Sequence, residues 1–290
     1  MHDNPQALPG RAFALTDHRV VALTGRDAAA FAQAQFMNDV VSLAPGHWQW
    51  SGWLTPKGRV LALFALLKFD DQTLWLLLPD ADAGDFAGAL QRFVFRAKVA
   101  LAVRDDVQVL AAFAPPRAAR GSAFAGDSAD AIELDFSADG GPRSVCIVRR
   151  GEGDAGIAAG DPHAQRWTAF DLHHDLPRLP ASQADHWTPQ QLSLDRLSAF
   201  SVKKGCYPGQ EIVARTHFLG KAKRGLALFA CDAAVAPGTT VKDGADPLGE
   251  VVCQAEGVAL AVVTLDKPAA AAHAGDEALR ALALRPGLAR

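Results

Sequence analysis

The chain has 290 residues, a formal net charge of −3 and a hydrophobic content of 49%. This length is typical of two or three domains, and this apolar content is sufficient for sizeable cores. The slightly acidic balance, with a pI of about 6.3, excludes a protein-wide basic field that would attract nucleic acid. No direct nucleic-acid contact is therefore expected.

Four cysteines are scattered along the chain without a C-x-x-C pair, at Cys146, Cys206, Cys231 and Cys253. Their spacing indicates neither a zinc site nor a disulfide framework, and we predict no bound metal. The first ten residues lack the apolar core of a secretory signal, and no apolar run reaches the ~18 residues that a membrane helix needs. The sequence therefore predicts a protein of the reducing cytoplasm that does not contact a membrane.

In the first hundred residues, two predicted strands are each followed by an aspartate that can serve as the N-cap of a helix. The strands are expected at residues 19–23 and 74–78, and the helices from Asp27 to about residue 37 and from Asp80 to about residue 95.

Between these units lies a predicted hairpin of strands 48–54 and 59–68. The turn over residues 55–58 carries Pro at its second position and Gly at its fourth, as type I turns prefer. Trp48 and Trp50 share one face of the first strand, because side chains alternate with period two. Such a pair is either part of the core or a flat wall for an aromatic ligand.

The middle of the chain predicts strands separated by loops that are rich in Gly, Ala, Ser and Asp. Residues 151–163 are interpreted as a linker. Thr188 to Gln191 is a capping box with Pro189 at the first helical position, which predicts a short helix towards Leu197. Strands are expected at residues 107–113, 131–136 and 144–149, and a helix at residues 167–173.

After residue 219 the pattern changes to short strands separated by Gly, Pro and Asp turns, which predicts a small barrel-like domain. The alanine-rich residues 269–290 receive no assignment. The strands are expected at residues 226–230, 239–241, 249–254 and 258–265.

Residues 202–215 combine several chemically useful features and contain the only tyrosine of the chain. Cys206 follows two lysines, lies between Gly205 and Gly209, and precedes a helix expected to run towards Thr216. The positive end of a helix dipole and nearby cations stabilise a thiolate, so we predict that Cys206 is a reactive thiol. The alternative is an inert buried cysteine beside a tight turn.

The string KGCYPGQE, from Lys204 to Glu211, resembles the KGCYxGQE motif of the YgfZ-type folate-binding proteins. These are related to the T-protein (aminomethyltransferase) of the glycine cleavage system and to a mitochondrial iron–sulfur assembly factor. Pro208 is the unusual residue, since the family more often has Thr, Val or Ile there. Two further stretches are similar to the family: RFVFRAKV at residues 92–99, and an N-terminal pattern matched by Gly25, Asp27, Phe31, Gln33, Gln35, Asn38 and Asp39.

The resemblance implies an α+β fold, with T-protein-like interleaved α/β modules around a central cleft and a small C-terminal β-barrel. It implies a ligand, tetrahydrofolate or another folate derivative, and partners that are iron–sulfur client or assembly proteins, including those of cluster-dependent tRNA modification. The implied division is a folate-binding-like body at residues 1–105 and 165–218, an inserted strand-rich module at 106–164 and a barrel domain at 219–290.

We predict a candidate site from the chemistry of the residues together with the family resemblance. Cys206 is its reactive thiol. Six cations between residues 203 and 224 form a rim that suits a folate glutamyl tail, the alternative being a solvated basic loop. The strand of Trp48 and Trp50, the segment 92–98 and the loop 203–215 are expected to line one cleft. The candidate folate-binding residues are Trp48, Trp50, Arg96, Lys98, His173, Lys204, Tyr207, Gln210, Glu211 and Arg215.

Two departures from the family bear on activity. T-proteins carry a carboxylate pair where this chain has Ala62 and Leu63, so a natural acid/base group for aminomethyl transfer is missing. Where the family often has Glu-Ala-Gly, with a glutamate that grips the pterin ring, this chain has residues 173–175, His-His-Asp. We therefore expect a folate-binding accessory protein that supports iron–sulfur proteins. The alternatives are a folate-dependent one-carbon (aminomethyl) transferase and a binding module that has kept only the thiol.

Overall fold

The computed structural model describes residues 12–151, 162–220, 222–266 and 271–290, so most of the linker expected at 151–163 lies outside the described residues. The elements follow in chain order: β1 (Phe13–Ala14), β2 (Arg19–Thr24), α1 (Ala28–Gln35), β3 (His47–Leu54), β4 (Val60–Lys68), β5 (Thr73–Leu78), α2 (Ala83–Gln91), β6 (Ala100–Val103), β7 (Val107–Ala112), β8 (Ala125–Gly126), β9 (Ala131–Asp135), β10 (Ser144–Arg149), α3 (Pro162–His173), a 3-10 turn (Ala181–Gln183), α4 (Gln210–Leu219), β11 (Arg224–Ala230), β12 (Thr240–Asp243), β13 (Asp246–Ala255), β14 (Val258–Thr264), β15 (Ala272–Ala274), β16 (Glu277–Ala278) and β17 (Arg280–Leu282).

The first sheet has the order β3-β4-β5-β2-β6 and is antiparallel throughout. The predicted hairpin of β3 and β4 is confirmed, and its turn closes with a bond from the Gly58 N–H to the Thr55 carbonyl (2.9 Å). One face of this sheet packs against α1 and α2, and the other face forms part of the main core.

Both predicted N-terminal helices form, but they end earlier than expected. Helix α1 stops at Gln35 because Phe36 is extended and forms a β-bridge with Trp53. Helix α2 stops at Gln91, and its N-cap is Asp82, whose side chain accepts a bond from the Asp85 N–H (2.8 Å).

The aspartates predicted as N-caps have other uses. Asp27 stands at the N-cap position of α1, yet its carboxylate accepts a bond from the Lys98 backbone N–H (2.7 Å). Asp80 pairs with the buried Arg178 (2.6 Å) and accepts from the Leu179 N–H (2.9 Å). Both carboxylates therefore join distant segments instead of capping a neighbouring helix.

The second sheet has the order β1-β7-β10-β9-β8, and the three strands predicted between residues 107 and 149 are confirmed. The predicted helix after Thr188 is wrong. The capping-box bonds between Thr188 and Gln191 do form, but the chain continues as turns. Ser193 and Ser198 have φ angles of 49° and 55°, and this left-handed backbone interrupts a right-handed helix.

The C-terminal strands form a seven-stranded, nearly closed barrel with the order β16-β15-β12-β13-β14-β11-β17. The predicted α+β class with a C-terminal barrel is thus confirmed. One buried cluster draws residues from all three sheets, for example Trp50, Val109 and Leu260. The proposed domain boundaries therefore stay a prediction, because this core crosses them.

Candidate functional site

The loop that carries Cys206 is anchored by its neighbour, Lys204. The Lys204 side chain is buried and reaches the C-terminal end of α1. Its ammonium donates to the backbone carbonyls of Gln33 and Phe36, and to that of Asn38 at 3.1 Å. An ammonium has three N–H donors, so this contact satisfies all of them. In this structure the Lys204 ammonium fixes the loop to a helix end, and the predicted contact of Lys204 with a folate stays a prediction.

Burial lowers the pKa of Lys204 to about 8, and nearby Asp39 acts in the opposite direction. At neutral pH the side chain therefore remains protonated and can donate all three bonds. The polar group of Lys204 is thus held where its charge meets the carbonyl end of the α1 dipole.

This pKa predicts a rise in stability with pH that depends on Lys204. Its unfolded value is 10.5 and its folded value about 8, so between these values the unfolded chain holds a proton that the folded chain has released. Raising the pH through this window favours the folded state, by on the order of 2 to 3 kcal/mol. We expect the unfolding free energy of the wild type to rise relative to a Lys204→Met variant when urea unfolding is measured across the window.

The control is Lys242→Met, since Lys242 is exposed on the barrel, and it should show no such difference. A fall of the unfolding free energy of wild type relative to that of Lys204→Met as the pH rises would contradict the prediction. It would mean that the three carbonyls hold the ammonium more strongly than burial opposes it.

The residues around the Lys204 ammonium belong to the N-terminal pattern that resembles the family. The sequence did not show what these residues do. The Gln33 side chain accepts from the Val40 N–H (2.7 Å) and donates to Asp39 (3.1 Å). Asn38 donates to the Trp50 carbonyl and to the Ser198 carbonyl, both at 2.8 Å. These amides tie β3, the end of α1 and the segment before the Cys206 loop into one unit.

The other end of the loop is fixed by a contact between two glycines. Gly209 has a φ of 79°, and a Cβ there would lie 2.6 Å from the Gly58 Cα. The loop therefore sits directly on the β3–β4 turn, and only glycine permits this approach. Helix α4 begins at Gln210, close to the expected start, and Pro208 lies in the turn before it.

Cys206 is the exposed cysteine of the four, all of which are free thiols. Burial raises the pKa of Cys146 and of Cys253 to about 12, and it also raises the pKa of Cys231. The buried alternative for Cys206 is therefore wrong. The exposed thiol stands on a loop that is fixed at both ends.

The remaining loop and α4 residues divide into buried and exposed groups. Tyr207 is buried, which raises its pKa to about 12, and its hydroxyl donates to the Ser201 carbonyl (3.2 Å). Gln210 is half-buried and donates to the Lys204 carbonyl (3.0 Å). Glu211 and Arg215 are exposed on α4. Tyr207 and Gln210 thus hold the loop, while the two charged residues face solvent.

Trp48 and Trp50 share one face of β3, as predicted, but that face is the core. Their exposed fractions are 0% and 2%. Trp48 stacks on Phe136 with ring centroids 5.0 Å apart, and the Trp50 indole N–H donates to the Leu288 carbonyl (2.8 Å). In this structure the face is covered by other parts of the protein, and the interpretation as a wall for an aromatic ligand stays a prediction.

The segment 92–98 lies on the opposite side of the first sheet. Phe93 packs edge-on against Trp53 (5.7 Å), whose side chain belongs to the core between the sheet and its helices. Arg96 and Lys98 are exposed. The three segments expected to line one cleft therefore do not do so, because neighbouring residues of β3 point to opposite faces.

The residues that replace Glu-Ala-Gly are largely engaged with the protein itself. His173 is half-buried, and burial together with Arg285 and His174 lowers its pKa, so it is neutral near pH 7. Both ring nitrogens of His174 lie within hydrogen-bond distance of backbone carbonyls, those of Phe170 and Asp139. Asp175 pairs with Arg196. Two groups of this stretch remain available to a ligand: the half-buried His173 side chain and the buried Asp175 Oδ1, which has no hydrogen-bond partner among the described residues.

A buried cation that sequence reasoning missed lies next to the tryptophan cluster. Arg143 is fully buried, pairs with Asp171 (2.7 Å) and lies over the rings of Trp167 and Phe170 at 4.1 and 4.0 Å. The Arg143 Nη2 and the Trp167 indole N–H have no hydrogen-bond partner in the described part of the chain. Two orphaned donors in one core are the kind of feature that a bound acceptor group explains.

Among the described residues, no group of three or more His, Cys, Asp or Glu side chains could hold a metal ion. No helix within the same ranges is long and apolar enough to cross a membrane.

Known proteins show what this chain is similar to. No protein-family model matches it. The tRNA-modifying protein YgfZ of Vibrio vulnificus (strain CMCP6) is 32% identical over 244 residues, which cover 80% of this chain and 73% of that protein. The protein of the same name from Klebsiella pneumoniae (strain 342) is 27% identical over 242 residues, which cover 76% and 71%.

A solved structure shares this fold. The glycine cleavage system aminomethyltransferase T from Bartonella henselae superposes with a TM-score of 0.75 over 95% of this chain and 87% of that protein, at 15% identity. This likeness shows a shared T-protein fold. The identity to the Vibrio protein over most of both chains, together with the KGCYPGQE loop, shows the family: the chain belongs to the family of the tRNA-modifying protein YgfZ.

Proposed function

We propose that this protein is a folate-binding accessory factor that supports iron–sulfur proteins, including those of tRNA modification, with Cys206 as its reactive group. The observation that carries the proposal is an exposed thiol on a loop that is held in place by the buried Lys204. Rigid presentation of one accessible cysteine suits a group that meets a partner. The tRNA-modifying name of the relatives supports the process.

The centre of the molecule has groups that fit a folate. Arg143 and Trp167 each present an orphaned buried donor, and a pterin carries a carbonyl and ring nitrogens that accept hydrogen bonds. Trp48, Phe136 and Trp167 supply aromatic surface of the type that binds flat rings. When bound, a reduced folate supplies a carrier for one-carbon units. The protein residues would bind and orient it.

A basic surface cavity also supports a folate ligand. A cavity of about 340 Å³ is lined by Arg59, which follows the β3–β4 turn, by residues of the segment 188–191, by Thr216 of α4 and by residues 222–224 at the start of the barrel. Three of its lining residues are Arg59, Lys223 and Arg224, and no acidic residue is among the lining residues. Paired cations of this kind bind carboxylates, which suits the glutamyl tail of a folate. Lys221, another cation of the predicted rim, lies outside the described residues.

Cys206 can supply a single thiolate ligand to a client protein's cluster. A cubane cluster usually takes four thiolates, and the other three cysteines are buried. The protein is therefore proposed to hold no resident cluster. Cys206 instead supplies one ligand during handling of a client's cluster, or attacks a client's disulfide and so releases one client thiolate.

The alternative function, one-carbon transfer, has less support from the residues. Ala62 and Leu63 are buried apolar residues of β4, where T-proteins carry carboxylates. The cavity that Ala62 lines also contains Asp80, which pairs with Arg178, Asp82, which caps α2, and Asp85. β4 itself carries no carboxylate that could serve a folate nitrogen as general acid or base.

The deciding experiment combines binding with turnover. Calorimetric titration with tetrahydrofolate is expected to show saturable one-to-one binding. In the same preparation, a mixture of tetrahydrofolate and an aminomethyl-loaded carrier protein should show no turnover above background. Absence of binding would contradict the proposed ligand, and turnover would establish the transferase alternative. The control is an Arg224→Ala variant, which should weaken binding of a polyglutamylated folate more than that of the monoglutamate.

A further inference from the structure

The last eight described residues leave the barrel and run across the main core, with Leu288 buried, Leu284 and Arg290 half-buried and the other five exposed. The Arg285 N–H donates to the His173 carbonyl (2.8 Å), and Leu288 is 1% exposed within the main core. Trp50 donates its indole N–H to the Leu288 carbonyl. Residues 283–290, the tail segment, therefore cover the tryptophan cluster of β3.

The tail segment ends with a guanidinium on the face of that cluster. The Arg290 Cζ lies 5.3 Å from the Trp48 ring centroid. Its Nε and Nη2 donate side by side to the Asp135 carbonyl, at 3.3 and 2.9 Å, and Nη2 also donates to the Ser137 carbonyl at 2.8 Å. A flat N–C–N group thus rests near an indole and directs two adjacent donors at backbone carbonyls.

The charge of this group does not suit its surroundings. Burial lowers the pKa of Arg290, and Arg143 adds to this effect while Asp135 opposes it. Arg143 is itself fully buried with an orphaned nitrogen. A neutral flat group with two adjacent donors would make the bonds to the Asp135 and Ser137 carbonyls without placing a second cation in a half-buried position near Arg143.

The pyrimidine half of a pterin is such a group. Its 2-amino nitrogen and its N3–H form a neutral N–C–N unit with two adjacent donors, and its aromatic ring can stack on an indole. We propose that Arg290 occupies the subsite for the pyrimidine edge of a pterin, formed by the Trp48 face and the carbonyls of Asp135 and Ser137, and that folate binds there by displacing the tail segment. This proposal rests on the proposed folate binding. It adds where the pterin binds and which part of the protein competes with it, the tail segment.

The competition has a measurable consequence. A ligand that binds only when the tail segment is displaced has its affinity reduced by the fraction of molecules in the displaced state. Removing the Arg290 side chain weakens the competitor and leaves the two carbonyl acceptors and the indole in place. The affinity for a reduced folate should therefore rise by about tenfold or more, since a closed population of 90% or more imposes a penalty of roughly this size.

The test is a calorimetric titration of 5-formyl-tetrahydrofolate, a stable reduced folate, into the full chain. Wild type is compared with Arg290→Ala and with Leu288→Ala, which weakens the tail segment through a different residue. The control is Arg280→Ala, an exposed arginine on β17 that pairs loosely with Asp232 at 3.8 Å. Thermal unfolding of each variant reports whether the fold is kept.

We expect tighter binding in Arg290→Ala and Leu288→Ala, and wild-type binding in Arg280→Ala. Equal or weaker binding in Arg290→Ala, with clear binding in wild type, would overturn the subsite and leave the proposed function standing. If wild type and all variants fail to bind while remaining folded, the proposed function fails, and the competition with folate fails with it.

Discussion

Cys206 should react with iodoacetamide at neutral pH at least on the order of a hundredfold faster than any other cysteine of the folded protein. The thiolate is the reacting species, and burial raises the pKa of Cys146 and Cys253 to about 12, which leaves almost no thiolate at pH 7. Cys231 is also buried, with a raised pKa. Peptide mapping by mass spectrometry after timed alkylation measures the rate at each site.

A Cys206→Ser variant separates reactivity from folding. Because the side chain is exposed, its unfolding free energy should stay within about 0.5 kcal/mol of wild type, while the activity of client iron–sulfur enzymes in cells should fall. Cys253→Ser is the matched control, and it should lose stability because it places a hydroxyl in the main core. Alkylation of Cys206 no faster than that of the buried cysteines, or full client activity in Cys206→Ser, would refute its functional role.

The secondary structure can be predicted where the pattern is local. The hairpin of β3 and β4 is predictable because alternation, a Pro-Gly turn and an apolar return strand all lie within about twenty residues. The helix predicted after Thr188 does not form although its capping box does, because two serines adopt left-handed backbone that no local rule assigns to serine. The tail segment could not be assigned, since its burial depends on partners such as Asp135 that lie about 150 residues away.

In the candidate site, too, features that depend on neighbouring residues could be predicted and features that depend on distant partners could not. Cys206 could be singled out as a candidate because its glycines and lysines are adjacent in sequence, and the structure shows that it is exposed. The role of Lys204 could not be inferred, because its partners are the carbonyls that end α1, and backbone groups leave no trace in a sequence. Trp48 and Trp50 do share one face, as the alternation predicts, but the pattern of a strand does not reveal whether that face meets a ligand or a core. Only the position of the tail segment decides this.

Breaking the ion pair of Arg143 and Asp171 is expected to cause a large loss of stability. Both side chains are buried, and the Arg143 Nη1 lies 2.7 Å from the Asp171 carboxylate. Removing the cation in Arg143→Met leaves a carboxylate in the core without its partner, which costs about 3 to 5 kcal/mol. Urea unfolding should show this loss as a lower midpoint with an unchanged slope.

A double variant distinguishes the loss of a partner from the loss of packing. In Arg143→Met/Asp171→Leu no unpaired charge remains, so the double variant should be more stable than Arg143→Met by about 1 to 3 kcal/mol. Arg280→Ala removes an exposed pair with Asp232 and should leave the midpoint unchanged. If the single and double variants are equally destabilised, Arg143 stabilises the core by packing against the rings of Trp167 and Phe170. The ion pair with Asp171 then contributes little, and the prediction is contradicted. If the double variant is more stable than wild type, the core retains the ion pair at a cost in stability, as expected of a cation kept to meet an acceptor in the proposed folate-binding centre.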